Sequence, residues 1–210
     1  MRATPFVHAL RALAVAALLA PPAAAAPLAL GQPVPLPDVK LKDVSGGDRT
    51  FHQVAGRKGL LVVFFCNHCP WVRAWQSRIV EIGNAAADSG LGVIAVNPND
   101  PDALPEDAFA PMQARAKQIG MRFPYVVDGT SDVARAFGAS HTPEAFLFDA
   151  RGRLVYHGAV DDNAQDPSAV TQPWLRQAVD AVVAGTPVPT AETKAFGCSL
   201  KLRPARGGSL

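Results

Sequence analysis

The chain has 210 residues, of which 49% are hydrophobic and 18% are charged, and its formal net charge is +2. So balanced a charge argues against nucleic acid or an anionic membrane surface as a partner. Three cysteines are too few for a disulfide scaffold, and an odd number leaves at least one without an intrachain partner.

The first 26 residues have the pattern of a secretory signal. Arg2 and Arg11 accompany an apolar core of about nine residues, Ala12–Ala20, and an alanine run then offers several A-x-A cleavage sites. This core is well short of the roughly 20 residues that a membrane span needs, so cleavage is favoured over a retained anchor. We expect a periplasmic or secreted protein without stable membrane insertion after cleavage.

The remaining chain fits one domain at 27–186, followed by a C-terminal tail at 187–210. Its first part is rich in proline and glycine, and a turn at Ser45–Asp48 predicts an N-terminal β-hairpin. The apolar run Leu60–Phe65 then predicts a central strand whose two faces are both covered, as parallel sheets require.

This strand runs directly into a Cys-x-x-Cys pair and an amphipathic helix. We expect Cys66 at the start of the helix, where unpaired N–H groups and the helix dipole would stabilise its thiolate. Pro70 suits the first turn, because its missing N–H costs nothing there. Two sulfurs so spaced in one helical turn could close and reopen a disulfide.

The next apolar run, Leu91–Val96, predicts a strand parallel to the first, joined to it by a right-handed crossover through the helix. Further patterns predict three helices and three strands. In chain order they are a helix through Phe109, Met112, Ala116 and Ile119 kinked or started by Pro111, a strand at Phe123–Val127, a serine-capped helix at Ser131–Phe137, strands at Ala145–Phe148 and Leu154–His157, and a helix at Pro173–Ala184.

Two motifs carry a resemblance to a known family. Phe65-Cys66-Asn67-His68-Cys69-Pro70, between strand and helix, and Thr142-Pro143, before a hairpin, resemble the thioredoxin-fold redoxins. These are exported thioredoxin-like and alkyl-hydroperoxide-reductase-like proteins. The resemblance covers roughly Pro33 to Gly185. It implies an α/β thioredoxin-like fold, with a central mixed β-sheet flanked by helices and an N-terminal β-hairpin.

The resemblance also implies a function. It is that of a thiol–disulfide oxidoreductase whose partners are protein thiols or disulfides and an unidentified redox partner. We also expect a monomer without cofactor or metal. Cys66 would be the nucleophile, and Cys69 would resolve the mixed disulfide. Thr142-Pro143 would be a cis peptide bond against the pair, its backbone pairing with an extended substrate; the alternative is an ordinary loop proline.

His68 and Asn67 lie between the two cysteines. A cationic His68 would stabilise the Cys66 thiolate and make the disulfide more oxidising, whereas a solvated surface histidine would have little effect. Asn67 is an auxiliary candidate.

The sequence departs from the family at two positions. Leu60 stands where thioredoxins place a buried acid that helps the second cysteine to lose its proton. Val63 stands where peroxiredoxin-type enzymes carry Thr or Ser, which weakens the alternative of a thiol-dependent, antioxidant peroxidase. If the hairpin after Pro143 returns to the cysteine end of the sheet, it brings Asp161 and Asp162 close to the cysteines. The alternative is that these two residues lie in a solvated loop. The candidate substitutes for the missing acid are His141, Glu144, Asp161 and Asp162.

Cys198, in the tail, has two interpretations. It is a third redox thiol that pairs with Cys66 or Cys69, or a free thiol in a mobile end. Two further alternatives to redox activity are a purely structural disulfide and a copper or zinc carrier. The soft ligands for such a metal would be Cys66, Cys69, Cys198 and His141.

Overall fold

The computed structural model describes residues 27–205. The predicted signal peptide at 1–26 lies outside this range. Among the described residues, no helix is both long enough and apolar enough to cross a membrane.

Within residues 27–205, a mixed sheet of seven strands forms the centre of the fold. Its strands are β1 (Leu41–Asp43), β2 (Asp48–Arg49), β3 (Leu60–Phe64), β4 (Gly92–Asn97), β5 (Tyr125–Val127), β7 (Glu144–Phe148) and β8 (Leu154–Gly158), while β6 (His141–Thr142) and β9 (Cys198–Ser199) form a separate antiparallel pair. The spatial order is β2-β1-β5-β4-β3-β7-β8. β3, β4 and β5 run parallel, whereas β1 and β7 are antiparallel to their neighbours.

The described helices cover both faces of this sheet. They are α1 (Phe51–Val54), α2 (Pro70–Asp88), α3 (Phe109–Gln118), α4 (Asp132–Phe137) and α5 (Trp174–Ala184), with short 3₁₀ helices at Pro105–Asp107 and Pro167–Ala169. The predicted α/β fold with a central mixed sheet is therefore confirmed, as is the hairpin, formed by β1 and β2. The hairpin extends the sheet beyond β5.

The alternation of side chains along β3 explains why the sheet is buried on both faces. Leu61 and Val63 belong to a core cluster with residues of α2, α3 and α5, while Val62 and Phe64 belong to a second cluster with α1 and α4. All four are at most 1% exposed. Each fully buried side chain of this kind contributes about 1.5–3 kcal/mol to folding, so the strand is a firm support for the cysteine loop at its end.

The sheet brings three loops to one edge. Because β3 and β4 are parallel, the chain after Phe64 and the chain after Asn97 emerge at the same edge. β7 is antiparallel to β3, and the pairing of Phe64 with Glu144 brings the start of β7 to that edge too. The two cysteines after β3 and the Thr142-Pro143 motif before β7 are neighbours for this reason.

The predicted serine cap of α4 differs from the structure. Ser131 precedes α4, but its backbone is left-handed, with φ of 59°, and its side chain makes no capping hydrogen bond. The hydroxyl instead donates to the carbonyl of Pro98 at 2.8 Å and accepts from the N–H of Arg203 at 3.0 Å. The serine therefore joins the loop after β4 to the tail rather than capping the helix.

Candidate functional site

The first cysteine of the motif lies before the helix. α2 begins at Pro70 and its N-cap is Cys69, so Cys66 belongs to the loop that follows β3. The prediction that Cys66 opens the helix is wrong, because Asn67 and His68 are also non-helical. Pro70 does occupy the start of the helix, as predicted.

The disulfide of the structure joins Cys69 to Cys198, and Cys66 is a free, buried thiol. This is one of the two pairings considered for Cys198. Thr142 lies against both neighbouring sulfurs: its Oγ1 is 3.0 Å from Cys66 Sγ, and its carbonyl oxygen is 3.3 Å from Cys69 Sγ. Since Cys69 is oxidised, its sulfur has no proton to donate there. We call Cys66, Cys69, Cys198 and Thr142 the thiol centre.

Cys66 is a thiol rather than a thiolate in this environment. Burial raises its pKa from 9.0 to about 12. The hydrogen bond with Thr142 and the N–H of Cys69 act in the opposite direction, but the negative charge of Asp107 adds to the rise. The expected stabilisation of the thiolate therefore does not hold in the folded, oxidised state.

Asp107 is the acid of the site, and it comes from the 3₁₀ helix after β4. Its side chain is buried and accepts hydrogen bonds from the backbone N–H of Asn67 at 2.6 Å and from the amide of Asn99 at 2.9 Å. His68 Nδ1 lies 2.9 Å from the same carboxylate, and the His68 side chain is 20% exposed. His68 is therefore bonded to a buried acid. Neither predicted interpretation, a cation that stabilises the Cys66 thiolate or a solvated surface histidine, describes this position fully.

Asn67 holds the loop between the two cysteines in place. Its side-chain amide donates to the carbonyl of Glu106 at 2.9 Å, and its side-chain oxygen accepts from the hydroxyl of Tyr125 at 3.2 Å. Arg73 Nε donates to the Asn67 carbonyl at 3.0 Å and pairs with the Glu106 carboxylate. Both the backbone and the side chain of Asn67 are therefore fixed by partners outside the loop.

Thr142-Pro143 is a cis peptide bond, as the resemblance implied. The next residue, Glu144, is buried and anchors the loop before it, because its carboxylate accepts from the N–H groups of Ser140 at 2.7 Å and His141 at 2.9 Å. Its other oxygen lies 2.6 Å from His157 Nε2. Burial alone would raise the pKa of Glu144, but these hydrogen bonds outweigh it and lower the pKa.

The sequence pattern of the AhpC/TSA family matches residues 31–157, more than half of the chain. The chain belongs to the AhpC/TSA family. A crystal structure of a hypothetical protein from Sinorhizobium meliloti 1021 aligns with a TM-score of 0.77 at 37% identity, covering 84% of this chain and 96% of that chain. A solution structure of a thioredoxin-like protein in the oxidized form aligns with a TM-score of 0.60 at 22% identity, covering 76% and 99%, and shows the thioredoxin-like fold.

Among curated proteins, the thiol-disulfide oxidoreductase ResA of Halalkalibacterium halodurans is 25% identical over 115 residues, which are 55% of this chain. The match spans 61% of that relative, so the chain covers about three fifths of its length. The family match and this name agree with the predicted family and enzyme class, a thioredoxin-like oxidoreductase. Cys198 lies outside the residues that the AhpC/TSA pattern matches.

The two departures of this AhpC/TSA chain are both buried in β3. Leu60 and Val63 are at most 2% exposed and pack in the two core clusters, so neither position supplies a group for proton transfer. Of the four substitutes, the Asp pair is engaged elsewhere. Asp161 accepts from Trp75 Nε1 at 2.7 Å and pairs with Arg78, and the exposed Asp162 accepts from the N–H of Thr171 at 3.0 Å.

The other two substitutes flank the cis-proline. Glu144 is occupied by the loop backbone and His157, and His141 in β6 contacts the hydroxyl of Ser140 at 2.8 Å. The acid that lies beside a cysteine is Asp107, which sequence reasoning missed. Its one signal was its position in the loop that follows a parallel strand, at the edge where the cysteines emerge.

The side chains that could hold a metal differ from the set drawn from the sequence. Two of those four, Cys69 and Cys198, are bonded to each other. Among the described residues, one ligand atom each of Cys66, His68 and Asp107 lie within 4.8 Å of one another. The Asp107 carboxylate is already surrounded by three polar partners, so a metal would have to displace some of them.

Proposed function

We propose that this protein is an exported thiol–disulfide oxidoreductase that exchanges electrons with protein disulfides or thiols through Cys66 and Cys69. The observation that carries the proposal is that a free thiol and a disulfide sulfur both lie against Thr142, beside a cis-proline. Similarity to a protein named thiol-disulfide oxidoreductase supports it. The two sulfurs can hold the two electrons themselves, so no organic cofactor is required.

The reaction begins from the reduced protein. The Cys66 thiolate attacks a substrate disulfide, which forms a mixed disulfide and releases one substrate thiolate. Cys69 then attacks the Cys66 sulfur, which forms a Cys66–Cys69 disulfide and releases the second substrate thiolate. Two electrons pass to the substrate, and a separate redox partner must return them. With thiol substrates the same steps run in reverse.

The first step needs the thiolate of Cys66, so this thiol, whose pKa is raised by burial in the oxidised protein, must first lose its proton. We assign the acceptor role to Asp107, whose carboxylate is within 4.8 Å of Cys66 Sγ. His68 bonds the same carboxylate and is partly exposed, so it can pass the proton to water. Asp107, a buried acid from the loop after β4, would thus take the role of the acid that thioredoxins carry at the position of Leu60.

Export is the second part of the proposal. The N-terminal pattern is that of a signal peptide, and a disulfide such as Cys69–Cys198 is typical of oxidising compartments. The intact mass of protein isolated from the producing cell, with N-terminal sequencing, measures cleavage directly. We expect the mature chain to begin close to residue 27; an uncleaved chain in the cytoplasm would contradict export.

The redox activity is tested by reduction of a protein disulfide, with the reduced protein regenerated by dithiothreitol. We expect Cys66→Ser to lower the rate to that of dithiothreitol alone. Ser89→Ala is the matched control, because Ser89 is exposed and lies at the far end of α2, a helix about 28 Å long. Equal rates for the wild type and Cys66→Ser would exclude Cys66 as the nucleophile. The equilibrium reduction potential, between about −270 mV for reductants and about −120 mV for strong oxidants, then gives the direction of electron flow.

A further inference from the structure

The C-terminal tail lies across the thiol centre. We call residues 191–203 the tail segment. It is joined to β8 by a bridge between Glu192 and His157, and to β6 by the pairing of β9. It then continues to the loop after β4, where the N–H of Lys201 donates to the side chain of Asn99 at 2.9 Å. Contacts on three sides therefore hold it in one path.

The tail segment pairs with the backbone next to the cis-proline. Thr142 is opposite Cys198 and His141 is opposite Ser199, in antiparallel register. β6 has no other strand partner among the described residues, so the tail segment occupies its open edge. A free strand edge of this kind binds an extended peptide through main-chain hydrogen bonds.

The side chains of the tail segment fit this path individually. Phe196 packs on Trp71 with ring centroids 4.6 Å apart, although it is 51% exposed. Gly197 passes so close to the Thr142 carbonyl that a Cβ at this position would overlap it. Leu200 and Leu202 pack against the second core cluster. Each of these side chains therefore has its own contact: the aromatic ring with Trp71, the glycine with the Thr142 carbonyl, and the leucines with the second core cluster.

We propose that the tail segment occupies the binding site of an extended substrate strand, and that Cys66 releases it by attacking Cys69. The inference rests on the proposed function and deepens it, because it names the substrate class. That class is an extended peptide with an aromatic residue two positions before its cysteine, glycine directly before it and an apolar residue two positions after it. In the oxidised protein, the tail segment stands where such a peptide would bind.

The release is a thiol–disulfide exchange within the chain. Cys66, as thiolate, attacks the Cys69 sulfur; the Cys66–Cys69 bond forms, the Cys69–Cys198 bond breaks, and Cys198 leaves as a thiolate that takes up one proton. One proton is lost at Cys66 and one is gained at Cys198. The number of disulfides stays at one, so no oxidant or reductant is consumed. Thr142, which contacts Cys66 and Cys69 and pairs with Cys198, holds the three residues together.

Because the exchange consumes no electrons, the ratio of the two disulfides should not depend on the redox potential of the buffer. The folded full chain is equilibrated in glutathione buffers of several potentials at one pH, quenched with acid, alkylated and mapped by mass spectrometry. We expect both the Cys69–Cys198 and the Cys66–Cys69 disulfide in the wild type, in a ratio that does not change with the buffer potential. In Cys66→Ser we expect Cys69–Cys198 alone. A single disulfide in the wild type, or a ratio that varies with potential, would overturn the exchange.

Phe196→Ala tests whether the side chains of the tail segment stabilise the closed form. An aromatic pair contributes enough to change this equilibrium by roughly fivefold, so we expect the ratio to move by about that factor toward Cys66–Cys69. Leu30→Ala is the matched control, because Leu30 is 42% exposed and is also a large apolar residue. The same ratio in Phe196→Ala as in Leu30→Ala would overturn the role of Phe196.

The substrate class is tested with peptides. Reduced full-length protein carries Cys198→Ser together with Gly197→Val, which keeps its own tail segment out of the strand site. It is mixed with a peptide of residues 192–203 whose cysteine carries thionitrobenzoate, and release of the coloured thiolate is followed. We expect this peptide to react about tenfold faster than one with Gly197→Val, since a side chain there would meet the Thr142 carbonyl. Equal rates would overturn the strand site. Peptide discrimination without any reduction of protein disulfides would instead overturn the proposed function and leave the strand site standing.

Discussion

Two pairs of a histidine and a buried carboxylate serve this site, and they differ in what surrounds the histidine. In the first, Asp107 and His68, the histidine side chain is 20% exposed and the acid lies beside Cys66. In the second, Glu144 and His157, the histidine is 6% exposed and stacks on Phe146 with ring centroids 4.4 Å apart. The first pair is therefore open to solvent beside Cys66, and the second is enclosed in the core.

The carboxylates also differ in what they hold. Glu144 accepts from the backbone of the loop that carries Thr142, so its charge stabilises one conformation of that loop. Asp107 accepts from the Asn67 backbone, but its charge also raises the pKa of Cys66. Similar chemical pairs therefore have different surroundings: Glu144 and His157 hold the loop before the cis-proline, while Asp107, bonded to His68, lies beside Cys66 and raises its pKa.

The largest expected effect comes from Glu144→Ala. The substitution leaves two backbone N–H groups and His157 without their acceptor, and breaking a buried pair of this kind costs about 3 kcal/mol or more. Urea unfolding measures the loss. Glu192→Ala is the control: it faces the same histidine at 4.0 Å but is 65% exposed, so we expect less than about 0.5 kcal/mol. Similar losses in both would show that Glu144 is not the anchor.

Asp107→Asn should raise the reactivity of Cys66 severalfold. The substitution removes a negative charge that adds to the raised pKa of Cys66, so a larger fraction of Cys66 is thiolate at a given pH. Alkylation of the oxidised protein is followed at Cys66 by peptide mapping, because the proposed exchange would also free the thiol of Cys198. We expect faster alkylation. Asp43→Asn, at another buried aspartate, controls for destabilisation; the same acceleration there would assign the effect to opening of the fold.

Much of the fold could be predicted, because its signals are local. The apolar run of β3, the amphipathic pattern of α2 and the proline at the helix start each depend on neighbouring residues, and the structure confirms them. The predicted bounds differ by a few residues at most; Phe123–Val127, for example, becomes Tyr125–Val127. The resemblance supplied the cis-proline, which no local pattern specifies.

The proton chemistry of the site could not be predicted, because it depends on distant contacts. Asp107 meets Asn67 and His68 across about 40 residues of chain, and no spacing rule connects them. The partner of Cys198 depends on the path of the tail segment, which follows from its pairing with β6. The pKa of Cys66 follows from complete burial, whereas its position after a strand suggested an exposed nucleophile at a helix start.

The two regions should also lose stability at opposite ends of the pH range. The folded pKa of Cys66 is raised, so its contribution is complete below pH 9 and is lost as the pH rises toward 12. Between pH 9 and 10 we expect the wild type to lose about 1 kcal/mol relative to Cys66→Ala, measured by urea unfolding. Glu144, whose pKa is lowered, contributes stability that is lost only as the pH falls through the acid range. A constant difference between wild type and Cys66→Ala would contradict the raised pKa.

The smallest effect is expected for Arg73→Met, and its effect on the alkylation of Cys66 should be opposite in sign to that of Asp107→Asn. The Arg73 charge lowers the pKa of Cys66, so its removal should slow alkylation of Cys66, whereas Asp107→Asn should accelerate it. Arg73 and its partner Glu106 are 47% and 60% exposed, and solvent weakens such a charge, so we expect a change of only about twofold to threefold.

Arg122→Met is the matched control, because Arg122 pairs with Asp88 at similar exposure, near the other end of α2. We expect both variants to unfold at a urea concentration close to that of the wild type, while only Arg73→Met changes the alkylation rate. Opposite effects of Asp107→Asn and Arg73→Met would show that charge around Cys66 sets its reactivity. Effects of the same sign would show that both variants act through the conformation of the Asn67 loop. The contrast between a carboxylate that acts on Cys66 through its charge and one that positions a loop would then fail.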